Sequence, residues 1–258
     1  MPSEPEQDRR AVSIVELSDT LAGALRNMAA PGPGVCPICW TFHDPAFAQC
    51  VGCVGASQID AVVPISYAPR GDQLALALRG YKDEHLYPTR YHHAMRLAAI
   101  LWRFLLAHEG HVARASGVES FDVVTVVPSK TTTNDETRPG LRTIVGTVVE
   151  HTASRFERLL RPTDTELVGR YFDSGRYATS RRLDGETVLL VDDTWVSGSS
   201  AQSAAAALRQ AGAARVACVV IGRWLTPGFG GEWGTVGDLY GKLPKQFDWS
   251  RCAAEPVE

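Results

Sequence analysis

The stretch that decides the reading of this chain is Val188–Ala213, VLLVDDTWVSGSSAQSAAAALRQAGA. Its first four residues are apolar, and a short run of this kind reads as a strand buried on both faces. Two adjacent aspartates, Asp192 and Asp193, come next. TWVSGSS follows, with a flexible glycine and three serine hydroxyls, and the chain then enters a helix near Ser199. In open parallel sheets, ligands collect beyond the carboxyl ends of the strands. A carboxylate buried there needs hydrogen-bond donors or a cation, and a second one beside it repels the first and raises that need. A sugar diol can donate to both acids, and a hydrated magnesium can be shared by them. The loop amides, the hydroxyls and the positive end of the helix favour an anion. Acids for hydroxyls and a loop for a phosphate together suit a phosphorylated ribose. The plainer alternative is an acidic turn with a serine helix cap. The order strand, acids, small-residue loop, helix favours the ligand site. Neither GxGxxG nor GxxxxGK[ST] occurs, so the dinucleotide fingerprint and the P-loop are absent.

Working outward, the neighbouring segments alternate in type. FDVVTVV, from Phe121, reads as a buried strand ending in PSK, and GLRTIVGTVVEHTASRFERLL as a helix. TELVGRYF reads as a strand, DSGRYATSRR as a polar loop, ETVLLV as a strand, SAQSAAAALRQAG as a helix and ARVACVVIGRW as a strand. Upstream, AVVPISYA (Ala61 to Ala68) is a strand and GDQLALALRGYK a helix. A second helix from about Pro88 to His108 places Leu97, Leu101, Phe104 and Leu105 on one face. VSIVELSDTLAGALRNM is helical and stops at APGPG; residues 1 to about 10 are expected to be disordered. Branched runs alternating with helices predict an α/β fold, a parallel sheet flanked by helices. TPGFGGEWG, after Trp224, carries no assignment.

The 258 residues allow one large domain or two modest ones. A formal net charge of −3 argues against a general nucleic-acid or anionic-membrane binder, although a local basic groove stays open. No apolar run reaches the length of a membrane span, and MPSEPEQDRR lacks the features of a secretion signal. A cytoplasmic location is expected, where thiols stay reduced. Cysteines are then metal ligands or core residues before they are disulfides. CPICWTFHDPAFAQCVGC supplies Cys36, Cys39, Cys50 and Cys53, two C-x-x-C pairs that can face each other around one tetrahedral ion. Four thiolates close the shell, so the expected ion is a structural zinc in a zinc-ribbon arrangement. His43 could replace one cysteine, and an exposed neutral histidine is the plainer reading. Cys218 reads as core, and Cys252 has no evident role.

VLLVDDTWVSGSS resembles the signature of type I phosphoribosyltransferases. That resemblance implies that Asp192 and Asp193 hold the ribose hydroxyls of phosphoribosyl pyrophosphate, while Thr194 through Ser200, with Val196, Ser197, Gly198 and Ser199, wrap its 5′-phosphate. Val196 stands where the family commonly has threonine. Ser129 and Lys130, in VVPSKTTT, resemble the pyrophosphate loop, with Lys130 counted among the catalytic residues; a solvated lysine after a strand is the alternative. GRYATSRR, with Arg176, Tyr177, Arg181 and Arg182, matches the position of the mobile loop that closes over the pyrophosphate; a solvated basic loop is the alternative. A zinc ribbon ahead of such a domain resembles the ComF family, associated with DNA uptake in bacteria. LALALRGYKDEHLYPTRYHHAMRLAAIL is similar to that family's linker, and Tyr81 and Lys82 in it could contact a base, a subunit or only solvent. TRPGLRTI stands in place of an arginine-rich ERGFNQ-like segment.

These readings imply three parts: residues 1–30 as a disordered start and N-terminal helix, 31–57 as the zinc ribbon, and 58–258 as a phosphoribosyltransferase-like domain with a helical linker at its start. The implied activity is magnesium-dependent transfer of 5-phosphoribosyl to an unidentified nitrogenous acceptor, releasing pyrophosphate. The rival readings are a non-catalytic sensor of the same ligand, a DNA-uptake accessory protein, and a ribbon that binds single-stranded nucleic acid, which the acidic charge favours least. A homodimer is compatible with all of them. His92, His93, His108 and His111 are expected to be solvated, no carboxylate partner being evident. Trp224, Phe229 and Trp233 could wall a base or fill core.

Overall fold

The computed structural model describes residues 14–55, 58–83, 87–164 and 171–255. A helix over residues 14–22 (α1) precedes the cysteine region. Strand β1 (Ala61–Pro69) leads into α2 (Gln73–Asp83) and the long α3 (Tyr87–Ala115), which carries the chain to β2 (Val123–Val126). Three short helices follow: α4 (Thr132–Thr137), α5 (Gly140–Thr143) and α6 (Glu150–Ala153), with a wide π turn, Ile144–Val148, between the last two. A small antiparallel pair, β3 (Leu160–Pro162) and β4 (Tyr177–Thr179), precedes β5 (Thr187–Trp195), α7 (Ser199–Ala211) and β6 (Arg215–Leu225). The chain then makes a two-stranded turn, β7 (Gly230–Gly231) with β8 (Gly234–Thr235), and a last helix, α8 (Val236–Gly241).

The four long strands form one parallel sheet in the order β1-β6-β5-β2. Side chains alternate across it with period two. Leu189, Val191, Val219 and Ile221 pack with Leu97, Leu101 and Phe104 of α3 and with Leu21 and Leu25. Val188, Leu190, Cys218 and Val220 face α7 instead, in a second core that includes Cys36, Cys39 and Cys53. Both faces are therefore covered, as a parallel sheet requires. The cysteine region shares this core rather than owning one. The molecule is an α/β protein with a four-stranded parallel sheet flanked by helices and a four-cysteine cluster in its N-terminal region.

Four expectations are corrected. GLRTIVGTVVEHTASRFERLL is not one helix. Ile144, Val145, Thr147, Val148 and Val149 are β-branched and resist regular helix, and Val149 is extended. The Thr152 hydroxyl donates to the Val145 carbonyl at 2.6 Å, where the regular ladder has parted. Residues 155–157 instead run beside β2, with Val124 N–H donating to Arg155 and Glu157 N–H to Val124. The strand ETVLLV does not end before the acids: β5 continues through Asp192 and Asp193 to Trp195. DSGRYATSRR is not all loop, since it contains β4. Most of the expected strand TELVGRYF lies outside the described residues; Tyr171 and Phe172 are exposed and irregular. Helix α3 also runs further than expected, to Ala115.

Candidate ligand cleft and cysteine cluster

Beyond Val191, β5 loses its neighbour on one side. Its pairing with β2 ends at Val126–Val191, while pairing with β6 continues to Trp195. The acidic pair stands in this step. Alternation sends adjacent carboxylates to opposite faces. Asp193 has the parity of Leu189 and Val191 and meets α2: the Tyr81 hydroxyl and the Lys82 ammonium both bind its Oδ2. Asp192 turns back, accepting the Asp193 N–H at Oδ1 over 2.9 Å. Burial, with the charge of Asp193 as the second cause, pushes the Asp192 carboxyl up to about 7. Such a group gains from any hydroxyl donor or cation that reaches it.

Both acids open on a cleft of about 820 Å³ between the carboxyl ends of β2 and β5 and helices α2, α3 and α5. Thr194, Val196, Ser197, Gly198, Ser199 and Ser200 line it, as do Ser129 and Lys130. Gly198 has φ of 79°, and a Cβ there would sit inside the Trp195 ring. That sharp turn lets α7 start directly under the loop, and the Ser197 hydroxyl lies 3.2 Å from that of Ser199. Across the cleft, Ser129 N–H donates to buried Asp135 at 3.2 Å. Asp135 is itself held by Arg142 at 2.6 Å and Arg158 at 2.7 Å. Lys130 is exposed, without an ion-pair partner among the described residues.

Sequence reasoning left a local basic groove open without naming most of the cations that make it. Arg79, Lys82, Arg90, Lys130, Arg138 and Arg142 line it, six cations, against the three carboxylates of Asp135, Asp192 and Asp193. The chain as a whole carries −3. Arg138 and Arg142 come from TRPGLRTI, the segment that stands in place of an ERGFNQ-like one. Tyr81, read as surface or base contact, is buried against Asp193, and Gly140 admits its ring, since a Cβ there would come to 3.0 Å.

Arg176 does not line the cleft. It is buried behind the first turn of α7, where Nη1 donates to the Ser200 hydroxyl at 3.1 Å and Nη2 to the Tyr171 carbonyl at 3.0 Å. Tyr177 braces the opposite loop by donating to the Pro128 carbonyl at 3.2 Å. Arg181 is spent on Glu157 and Glu186, and Arg182 is exposed. Trp224 and Trp233 pack against core, and Phe229 is exposed; none lines the cleft.

The Sγ atoms of Cys36, Cys39, Cys50 and Cys53 lie within 4.8 Å of one another, with Cys39 and Cys50 at 3.6 Å. Thiols at that spacing can hold a zinc ion. Trp40, at φ 60°, bends the first C-x-x-C back on itself, and Trp40 N–H donates to the Cys36 carbonyl at 2.9 Å. Hydrogen bonds among the four thiols push their pKa values apart, Cys36 and Cys39 below the ordinary range and Cys50 and Cys53 above it. His43 is buried rather than exposed, its Nδ1 2.8 Å from the Asp44 carbonyl, and it is not part of the cluster.

The cluster touches the loop after the acids. Buried Arg223 donates through Nε to the Cys39 carbonyl at 2.7 Å and through Nη1 to the Trp195 and Val196 carbonyls at 2.9 and 3.2 Å. Cys218 is core, as expected, but His108 is buried and His111 has a carboxylate partner, Glu255, at 2.8 Å. Among the described residues no helix is long and apolar enough to cross a membrane.

The class these features define is an α/β protein with a basic cleft at the carboxyl ends of its strands and a tetracysteine cluster beside it. Comparison of the chain with protein-family models, with curated proteins and with solved structures finds no match.

Proposed function

We propose that this protein binds phosphoribosyl pyrophosphate in the cleft and transfers its 5-phosphoribosyl group to a nitrogenous acceptor. The observation that carries the reading is a basic cleft in an acidic chain, in which the acid pair and the N-terminus of α7 open side by side. The Thr194–Ser200 loop and the α7 amides receive the 5′-phosphate. Asp192 accepts from ribose hydroxyls, which relieves its burial. Lys130, Arg138 and Arg142 face the pyrophosphate and stabilise it as it leaves. In the reaction the sugar C1–O bond to pyrophosphate breaks, a C1–N bond forms, and the acceptor loses a proton. Magnesium, arriving with the pyrophosphate, would supply charge neutralisation. The cysteine cluster holds a structural zinc on this reading, and the arginines of TRPGLRTI stand in for the arginine-rich segment of ComF-like proteins.

One observation favours a second reading. Asp193 is already bound by Tyr81 and Lys82, so a ligand must displace or share those contacts. That suits a sensor that binds without turnover. Purified protein, phosphoribosyl pyrophosphate, magnesium and a panel of bases separate the two. Pyrophosphate release that Asp192→Asn abolishes is expected for the transferase. Calorimetric binding with no release for any base supports the sensor, and no binding at all removes both.

A further inference from the structure

Near the end of α3, where the C-terminal tail crosses it, a second group of metal-ligating side chains converges. His108 is buried, and its Nε2 lies 2.8 Å from the Trp249 carbonyl. A carbonyl only accepts, so Nε2 carries the hydrogen and Nδ1 keeps its lone pair. That Nδ1 faces the Nδ1 of His111 at 3.2 Å. The Cys252 sulfur completes a triad whose ligand atoms all lie within 4.8 Å of one another. Glu255 Oε1 stands 2.8 Å from the same His111 nitrogen.

The tail is shaped to present these groups. Cys252 N–H donates to Glu255 Oε2 at 3.3 Å, and Ala254 N–H to the Cys252 sulfur at 3.4 Å. Upstream, the Arg103 guanidinium lies 4.3 Å over the Trp249 ring, and Asp248 and Asn27 exchange hydrogen bonds at 2.8 and 2.9 Å. The Trp249 carbonyl is the outer partner that orients a ligating histidine. Zinc–nitrogen bonds of about 2.0–2.1 Å at a tetrahedral angle put two nitrogens about 3.3 Å apart, close to the separation of the two rings.

We propose that Nδ1 of His108, Nδ1 of His111 and Sγ of Cys252 bind a zinc ion that fastens the C-terminal tail to α3, with the Glu255 carboxylate beside His111 and outside the triad. Two imidazoles and a thiolate suit zinc, and they exclude magnesium and calcium, which take oxygen ligands. Binding expels the Cys252 thiol proton and any proton shared between the rings to solvent, so it strengthens as pH rises. This site does not depend on the function proposed for the cleft.

Zinc content after saturation and desalting tests it. Wild type is expected to hold one zinc ion more per chain than His111→Ala, and the tail of that variant is expected to be cut faster by protease. Equal zinc content in the two proteins overturns the proposal. Should His111→Ala fail to fold, cobalt-substituted wild type decides without any substitution. Bands of a mixed nitrogen–sulfur set beside those of a four-sulfur set support the site, and four-sulfur bands alone overturn it.

Discussion

Asp192 carries a cost of burial in its charged form. Its carboxyl in the folded chain titrates near 7 because burial disfavours the charge, against 3.8 for an ordinary aspartate. Between those values the folded chain keeps a proton that the unfolded chain has lost, so stability falls as pH rises through that window and stays low above it. Asp192→Asn removes the penalty. The gap between 3.8 and about 7, at ~1.4 kcal/mol per pH unit, sets a ceiling of ~4 kcal/mol on the gain at pH 8. Urea denaturation at pH 5 and pH 8 checks this: the variant is expected to gain on wild type as pH rises, and parallel profiles would remove the buried-acid account. The acid pair itself was legible from sequence, because two carboxylates after four apolar residues have few other uses. The partners of Asp193 were not. Tyr81 and Lys82 lie more than a hundred positions upstream, and nothing local in GYK shows which strand end it will meet.

The elements divide by how local their causes are. Strands β1, β5 and β6 and helices α2 and α7 were readable, because each depends on its own run of residues. The break between α5 and α6 was not, because helical spacing in GLRTIVGTVVEHTASRFERLL competes with a demand from outside it, the open edge of β2. The edge prevails: a Cβ on Gly146 would collide with the Phe156 ring, which residues 155–157 carry in beside β2. The junction of β5 and α7 is local in cause but strict in geometry. Gly198 combines positive φ with the Trp195 ring packed on its α-carbon. Gly198→Ala must therefore strain the backbone and displace a buried indole, at a cost of about 2–3 kcal/mol. The variant is expected to melt several degrees lower and to bind phosphoribosyl pyrophosphate at least tenfold more weakly by calorimetry. Unchanged affinity would mean that the loop does not hold the phosphate.

In the whole molecule the cysteine cluster and the cleft are mechanically joined. The cluster does not line the cleft, yet Cys39 and the Trp195–Val196 backbone are held by the same guanidinium, and Gly52 packs close to the Ser197 carbonyl. Arg223 is buried, so breaking one end leaves donors that must find new partners in a closed space. If the cluster holds zinc as proposed, loss of the metal should then loosen the Trp195–Val196 end of the loop. Cys36→Ser is a cleaner probe than a chelator, which would strip the histidine–cysteine cluster as well. The expected result is a lower melting temperature and roughly tenfold weaker ligand binding, about 1.4 kcal/mol. The decisive comparison repeats Cys36→Ser in an Arg223→Ala background. If the guanidinium is the link, its removal uncouples the sites, and the second substitution weakens binding by less than about twofold there. An equal loss in both backgrounds would show that the cluster acts on the cleft through the shared core of β5, β6 and α7 instead, and Arg223 would then be no more than a buried brace.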